Sequence, residues 1–459
     1  MAGLLTKFRI EDLHNIRTLD VKIRDNRIVL VGENGAGKST FANLVYYFLT
    51  GQWRRMANYQ FSRIVAVIDN KEAIIEKKDI SKLPRESLHR LRRLPPSIIQ
   101  RIEESSNEYP FETLLEDRET LDKLSMELEV PRHLIMDYLF HEKPKISKQL
   151  EKANELINKV ASEQQVLYLP TYRRIEQELH LILPGLEKEI EGARNELRRK
   201  IKATTSYIEL VEFGMEDVEQ TIKNKMSEIK EHVRNGLSNL TATYFRDVIM
   251  GEYRTADLSA IIGELNQETI NVIFSRIPQE ILSGKEQERL LETINKIKNF
   301  EKDIAENDRV SAHFLTKLVE LHKVQQREEI DIQEFIKVCN SYLTGKEIIY
   351  DNRTIDLKVK QNVRKVKEQQ ISLRDLSSGE KQIVSLFSHV YLSGGTKYFV
   401  IIDEPELSLS VTWQKKFLPD ILNTGRCSGL IAATHSPFIY ENYLDSSAHS
   451  LEEFTEGLQ

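Results

Sequence analysis

Gly32-Glu33-Asn34-Gly35-Ala36-Gly37-Lys38-Ser39-Thr40 is the stretch on which the reading of this sequence turns. It fits the pattern GxxxxGK[ST], with the apolar run RIVLV (27–31) before it and FANLVYYFL (41–49) after it. That is a strand, a tight loop and a buried helix, the order that anion capture requires. Gly32, Gly35 and Gly37 let backbone N–H groups curl around phosphates, and the positive end of the helix faces the same point. Lys38 has the reach for β- and γ-phosphates, Ser39 offers a hydroxyl to Mg²⁺, and Asn34 and Thr40 belong to the same phosphate-binding set. The stretch reads as a site for ATP and Mg²⁺.

Working outward, LLTKFRI, LDVKI and RIVLV alternate with turns over residues 4–31 and read as three strands. RIVAVI (63–68) and AIIEKK (73–78), joined by DNKE, read as a hairpin. The segment 81–145 is helical and polar, interrupted by Pro84, Pro95, Pro96, Pro110 and Pro131, and VLYLP (166–170) is a lone strand. From 181 to 344 the chain is mostly helix-forming. Val218, Ile222, Met226, Ile229, Val233, Leu237 and Leu240 recur at steps of 4, 4, 3, 4, 4 and 3. This eleven-residue period, ~3.67 per turn, describes a nearly straight or slightly right-handed seam. Leu290, Ile294, Ile297 and Ile304 can supply its returning partner. The seam is either ordinary helix–helix core or an antiparallel coiled-coil arm or oligomerisation element.

KEIIYDNRTIDLKV (346–359) reads as a second hairpin, turning at Asp351–Asn352, and three further motifs follow closely. Leu376-Ser377-Ser378-Gly379-Glu380-Lys381-Gln382 opens an apolar helix, with Ser377 or Ser378 as its cap. Tyr398-Phe-Val-Ile-Ile-Asp403-Glu404-Pro405 is a buried strand that exits in two acids. A core strand has no need of paired carboxylates at its end. Asp403 suits Mg²⁺, and Glu404 suits polarisation of an attacking water. Ile431-Ala-Ala-Thr434-His435 ends another strand in a histidine. The expected division is 1–180 and 345–459 as the two parts of one α/β nucleotide-binding head, split by a helical insertion at 181–344.

Bulk properties narrow the partners. Hydrophobic residues make up 40% and charged residues 30%, so a sizeable core sits beside long solvated helical faces. The net charge of −6 argues against a generally basic surface, though it leaves room for a local nucleic-acid groove. Cys339 and Cys427 form no CxxC pair, which disfavours disulfides and zinc and fits a reducing cytoplasm. The start, MAGLLTKFRIEDL, has charges within its short apolar run and does not read as a signal peptide. No apolar stretch approaches the ~20 residues of a membrane span.

Taken in order, the phosphate loop (Walker A), LSSGEKQ, the acid-terminated strand (Walker B) and the histidine resemble the motif set of ABC-type ATPases. LSSGEKQ resembles the signature LSGGQ, with Ser378 in place of the first glycine, and His435 resembles the switch histidine that contacts the γ-phosphate. The resemblance implies head-to-tail ATP-sandwich dimers in which Ser378 and Gly379 complete the partner's site. Catalysis would fall to Glu404 and His435. Gln60, Gln100 and Gln165 stay open as the glutamine loop.

Some 340 residues separate Lys38 from the signature, far more than in transporter subunits. FRIEDLHNI, DEPELSLS and ATHSPFI resemble the SMC, RecF and OLD group, which often has histidine near Ser410. OLD nucleases add a TOPRIM domain, for which the 24 residues after His435 leave no room, so nuclease chemistry is expected from a partner. With YLPTYRRIE (168–176), the outline resembles ATPase subunits of bacterial anti-phage systems, of the AriA (PARIS) or PtuA (Septu) type. Those imply a hexamer built from dimers, an effector nuclease of TOPRIM or HNH type, and a viral protein as trigger. A repair-type clamp on duplex DNA is the alternative. Arg173 and Arg174 are either a solvated pair or phosphate sensors. Arg85, His89, Arg90, Arg92, Arg93 and Arg101 form either a solvated face or a contact for an acidic protein or nucleic acid.

Overall fold

The computed structural model describes residues 5–33, 35–81, 147–170, 207–209, 215–254, 266–277, 279–280, 282–298, 305–361, 369–394 and 397–456. Asn34, Gln100, the basic residues Arg85, His89, Arg90, Arg92, Arg93 and Arg101, the pair Arg173 and Arg174, and Ile304 lie outside the described residues.

The first three strands are Leu5–Leu13 (β1), Arg17–Lys22 (β2) and Arg27–Val31 (β3), followed by the helix Lys38–Leu49 (α1). Arg63–Ile68 (β4) and Lys71–Glu76 (β5) pair antiparallel. Asp69 and Asn70 turn between them with φ of 50° and 59°, the left-handed pair that a tight hairpin of right-handed twist requires. Lys148–Glu163 (α2) then leads into Gln164–Leu169 (β6), and Tyr207–Glu209 (β7) pairs parallel to it.

Among the described residues four helices follow: Met215–Met250 (α3), Gln267–Arg276 (α4), Gly284–Lys298 (α5) and Glu306–Asn340 (α6). Lys346–Asp351 (β8), Asp356–Gln361 (β9) and Gln369–Ile371 (β10) form a small antiparallel sheet. The chain then alternates Ser378–Leu392 (α7), Lys397–Asp403 (β11), Val411–Leu422 (α8) and Cys427–Thr434 (β12). It closes with the short strands Ala448–Ser450 (β13) and Thr455–Glu456 (β14).

Two large sheets result. The antiparallel one runs β14-β2-β1-β4-β5, and the other β13-β3-β12-β11-β6-β7. Every pairing in the second sheet is parallel, so its central strands are buried on both faces and read as continuous apolar runs. Alternate residues serve opposite cores. Ile28, Leu30, Phe399, Ile401 and Ile431 pack with α1, α2 and the antiparallel sheet. Val29, Val400, Ile402, Leu430 and Ala432 pack with α3, α6, α7 and α8. The fold is therefore α/β, three layers deep, with the parallel sheet in the middle.

The eleven-residue seam lies on α3 and bridges two cores. Val218, Ile222, Met226, Ile229 and Val233 belong to the core over the parallel sheet. Leu240 belongs to a smaller distal core with Ile270, Ile273, Phe274, Leu290, Ile294, Leu315 and Leu318. The seam thus runs from the core over the parallel sheet into the distal helical core.

The returning partner differs from expectation. Leu290 and Ile294 sit on the 15-residue α5 in the distal core, and the helix that runs back along α3 is the 35-residue α6. Its buried face includes His322, Gln325 and Glu329, which interrupt the apolar period that would have announced it. The two long helices approach closely at Gly236, where a Cβ would lie 2.6 Å from a Leu321 methyl. No described helix is long and apolar enough to cross a membrane.

Candidate nucleotide site

Three strand ends converge at the carboxyl edge of the parallel sheet, where α/β sheets open their ligand crevices. β3 ends at Val31 before the glycine loop, β11 ends in Asp403, and β12, which lies between them, ends at Thr434 beside His435. This adjacency, rather than proximity in sequence, assembles the site.

The loop owes its shape to residues that tolerate a left-handed backbone. Gly35 and Gly37 have φ of 83° and 93°, and a Cβ on Gly37 would lie 2.4 Å from the Arg17 guanidinium. Arg17 donates from Nη2 to the Ala36 carbonyl at 2.6 Å and braces the loop from the strand behind it. Sequence reasoning missed Arg17; its only signal is an arginine opening β2. Gly32, at φ 150°, lies half-buried where β3 gives way to the loop. Thr40 sits in the first turn of α1.

Lys38 is 5% exposed, and its amine donates to the carbonyls of Gly32 at 2.7 Å and Glu33 at 3.0 Å. The His435 Nε2 lies 3.0 Å from the same amine. Burial lowers the Lys38 pKa, and the nearby Asp403, Glu406 and Glu404 carboxylates oppose that shift. Ser39 donates from Oγ to Asp403 Oδ1 at 3.0 Å.

Asp403 is almost wholly buried. Next to it, Glu404 adopts φ 52° and its N–H donates to the Ala433 carbonyl at 2.8 Å, extending the sheet's bonding by one residue. A non-glycine residue in this region stores strain of about 1–3 kcal/mol, and such strain gathers at working sites. Glu406, also missed by sequence reasoning, accepts from Thr434 Oγ1 at 2.7 Å and from the His435 N–H at 2.8 Å. Its place in the DEPE run looks like loop filler until the fold brings β12 alongside.

Ser378 and Gly379 open α7. Ser377 is the cap, its Oγ accepting from the Glu380 N–H, while the Glu380 carboxylate accepts from the Ser377 N–H at 2.7 Å. Burial disfavours the Glu380 charge, but hydrogen bonds from Lys346 and Ser377 outweigh it and hold the carboxyl below its ordinary range. Gly379 packs on the loop after β11, where a Cβ would lie 2.4 Å from the Ser408 carbonyl oxygen. Ser410, where the resembling group often has histidine, caps α8 by accepting from the Trp413 N–H. Gln60 lies in the loop before β4, its carbonyl accepting from the His14 N–H, and Gln165 lies within β6.

A hydroxyl and a buried carboxylate within 3.0 Å suit Mg²⁺, which takes one or two protein oxygens and fills its octahedron with phosphate oxygens and water. Ser39 and Asp403 fit that role. Among the described residues no group of three or more His, Cys, Asp or Glu gathers as an all-protein metal site.

No curated protein matches the chain. Among solved structures, it is similar to the Smc head domain with an extended coiled coil bound to the C-terminal domain of ScpA from Pyrococcus furiosus. That match has 10% identity, covers 95% of this chain and 91% of the other, and has a TM-score of 0.36. It is also similar to the Smc head domain with a coiled coil and joint from Pyrococcus yayanosii, at 12% identity over 100% and 97% of the two chains and a TM-score of 0.31. The model of the family described as AAA ATPase domain matches residues 4–440, which takes in the glycine loop, both acids and His435. The chain belongs to that AAA ATPase domain family.

Proposed function

We propose that this protein binds and hydrolyses ATP as the sensor and scaffold subunit of an anti-phage system, holding a partner nuclease and releasing or activating it. The observation that carries the ATPase half is the meeting of Lys38, Ser39, Asp403 and His435 from three strand ends. Gly32, Asn34, Gly35, Gly37, Lys38, Ser39 and Thr40 cradle the triphosphate. Lys38 exchanges its loop carbonyls for β/γ-phosphate oxygens, and His435, already beside that amine, reads the γ-phosphate. Glu404 orients the water for in-line attack. Ser39 and Asp403 would hold Mg²⁺, which when bound would supply neutralisation of phosphate charge.

Ser378 and Gly379 act on the neighbouring copy's nucleotide, which makes the head-to-tail dimer the working unit and a hexamer its closed assembly. The effector half rests on the resemblance to AriA- and PtuA-type subunits, and a TOPRIM or HNH nuclease is the expected partner in the cytoplasm. The arm supports a protein partner. Phe245, Ile249 and Met250 are 68%, 66% and 70% exposed near its far end, a grouping that a solvated arm does not need.

The test is the mass of the purified protein with ATP and Mg²⁺, alone and co-expressed with the product of the neighbouring gene. An even-numbered assembly that retains a nuclease supports the proposal. A nucleotide-dependent dimer without a partner, binding duplex DNA in a steeply salt-sensitive way, would replace it with the DNA-clamp reading.

A further inference from the structure

We infer that Glu406 is a positioning residue for hydrolysis, a carboxylate brace that sets the direction of His435; this rests on the proposed ATPase reading of the site. Glu406 lies on the loop after β11, yet both its oxygens are engaged 28 and 29 residues away, on Thr434 and His435. The His435 side chain is solvent-exposed, so core packing does not fix its ring. The ring meets the Lys38 amine at 3.0 Å, and the direction from which it does so is set by its backbone, whose N–H donates to Glu406.

Thr434 shows why the brace is stiff. It is fully buried, and its hydroxyl donates to Glu406 while accepting from the Ser436 N–H at 3.0 Å. One carboxylate thus ties residues 434 and 435 directly and Ser436 through the threonine. A second tie runs parallel: Ser436 Oγ donates to Gln414 Oε1 at 2.6 Å, and Gln414 Nε2 donates to the Leu409 carbonyl at 2.9 Å. Together they lock the histidine turn to the loop that begins at Glu404. The residue proposed to orient water and the residue proposed to read the γ-phosphate then move as one body. Outer-shell partners that orient metal-bound histidines are worth ~10–100-fold in affinity or activity, and the same scale is taken for this brace.

Steady-state ATP turnover of Glu406→Ala, Glu406→Gln, His435→Ala and the double variant Glu406→Ala/His435→Ala decides the matter. Glu406→Ala is expected to lower kcat by ~10–100-fold with KM within about threefold. Glutamine can accept from the His435 N–H and donate to Thr434, so Glu406→Gln should recover all but about tenfold or less. The double variant should be no slower than His435→Ala alone, because residues that act through one another are not additive. If Glu406→Ala proves too unstable to assay, the comparison of Glu406→Gln with and without His435→Ala carries the same test. A double variant slowed by the product of the two single effects would overturn the inference, as would a Glu406→Ala kcat within threefold of the unaltered protein. A normal rate in His435→Ala would instead overturn the reading of the site, and the brace with it.

Discussion

Lys38, 5% exposed as a residue, and Arg276, whose side chain is 4% exposed, are both cations withdrawn from solvent, and they are held in opposite ways. Arg276 ends α4. Its three guanidinium nitrogens donate to Gln325, to the Glu329 carboxylate, and to the carbonyl and side chain of Asn352. Tyr350 completes the cluster by donating to Glu329, with burial raising its phenol pKa. The charge is neutralised where it stands, and the cluster joins α4, α6 and the β8–β9 hairpin. Lys38 instead donates to two loop carbonyls and lies beside the His435 ring, while the nearby carboxylates favour its charge without forming an ion pair with it among the described residues. A buried cation left with partial compensation is costly unless an anion completes it. The difference separates architecture from a binding site: one cluster is closed, the other invites phosphate.

Substitutions sharpen the contrast. Lys38→Ala is expected to reduce ATP turnover by about 10²–10³-fold, the scale of losing one preorganised electrostatic contact, with little change in melting temperature. Arg276→Ala should do the reverse. Leaving Glu329 buried without its partner costs about 3–5 kcal/mol, read by denaturant unfolding, while per-molecule turnover stays close to normal. Replacing both members, Arg276→Met with Glu329→Leu, should return most of that stability, since a packed apolar pair substitutes well for a buried ion pair. If Arg276→Ala abolished turnover in a folded protein, the division between closed and open clusters would fail.

Smaller effects probe the second half of the head. Gly379→Ala drives a methyl toward the Ser408 carbonyl and should destabilise by about 1–3 kcal/mol through overpacking. Glu380→Gln addresses the cap of α7. The folded-state carboxyl is held below its ordinary value of about 4.3, so its contribution is present above that value and is lost as pH falls through the depressed one. The substitution should cost about 1 kcal/mol at neutral pH and flatten the fall in stability on acidification. An unchanged acid profile would contradict the capping account.

The contrast also explains what the sequence disclosed. β1 to β3, the helix after the glycine loop, both hairpins and the acid-terminated strand were legible because each carries its own period and turn chemistry. The Asp69–Asn70 hairpin is a local signal of this kind. Lys38, Ser39, Asp403 and His435 were legible as residue types with a stated chemistry. The Arg276 cluster was not, because its members, on three separate elements, resemble ordinary charges on solvated helices. For the same reason α6 was hidden by its buried His322, Gln325 and Glu329. β13 and β14, three and two residues long, lack a period to read; they exist because β3 and β2 offer them edges. Glu406 and Arg17 gain meaning only once β12 and the loop are in place.

The central claim is that the edge formed by β3, β12 and β11 hydrolyses ATP with Glu404 as the residue that activates water. The most direct measurement follows ATP turnover and retained nucleotide in Glu404→Gln beside the unaltered protein, each with Mg²⁺. The account predicts turnover lower by about 10²–10⁴-fold, the range for loss of general-base catalysis, with ATP kept bound and the dimer held closed. Turnover at the normal rate in Glu404→Gln would contradict it.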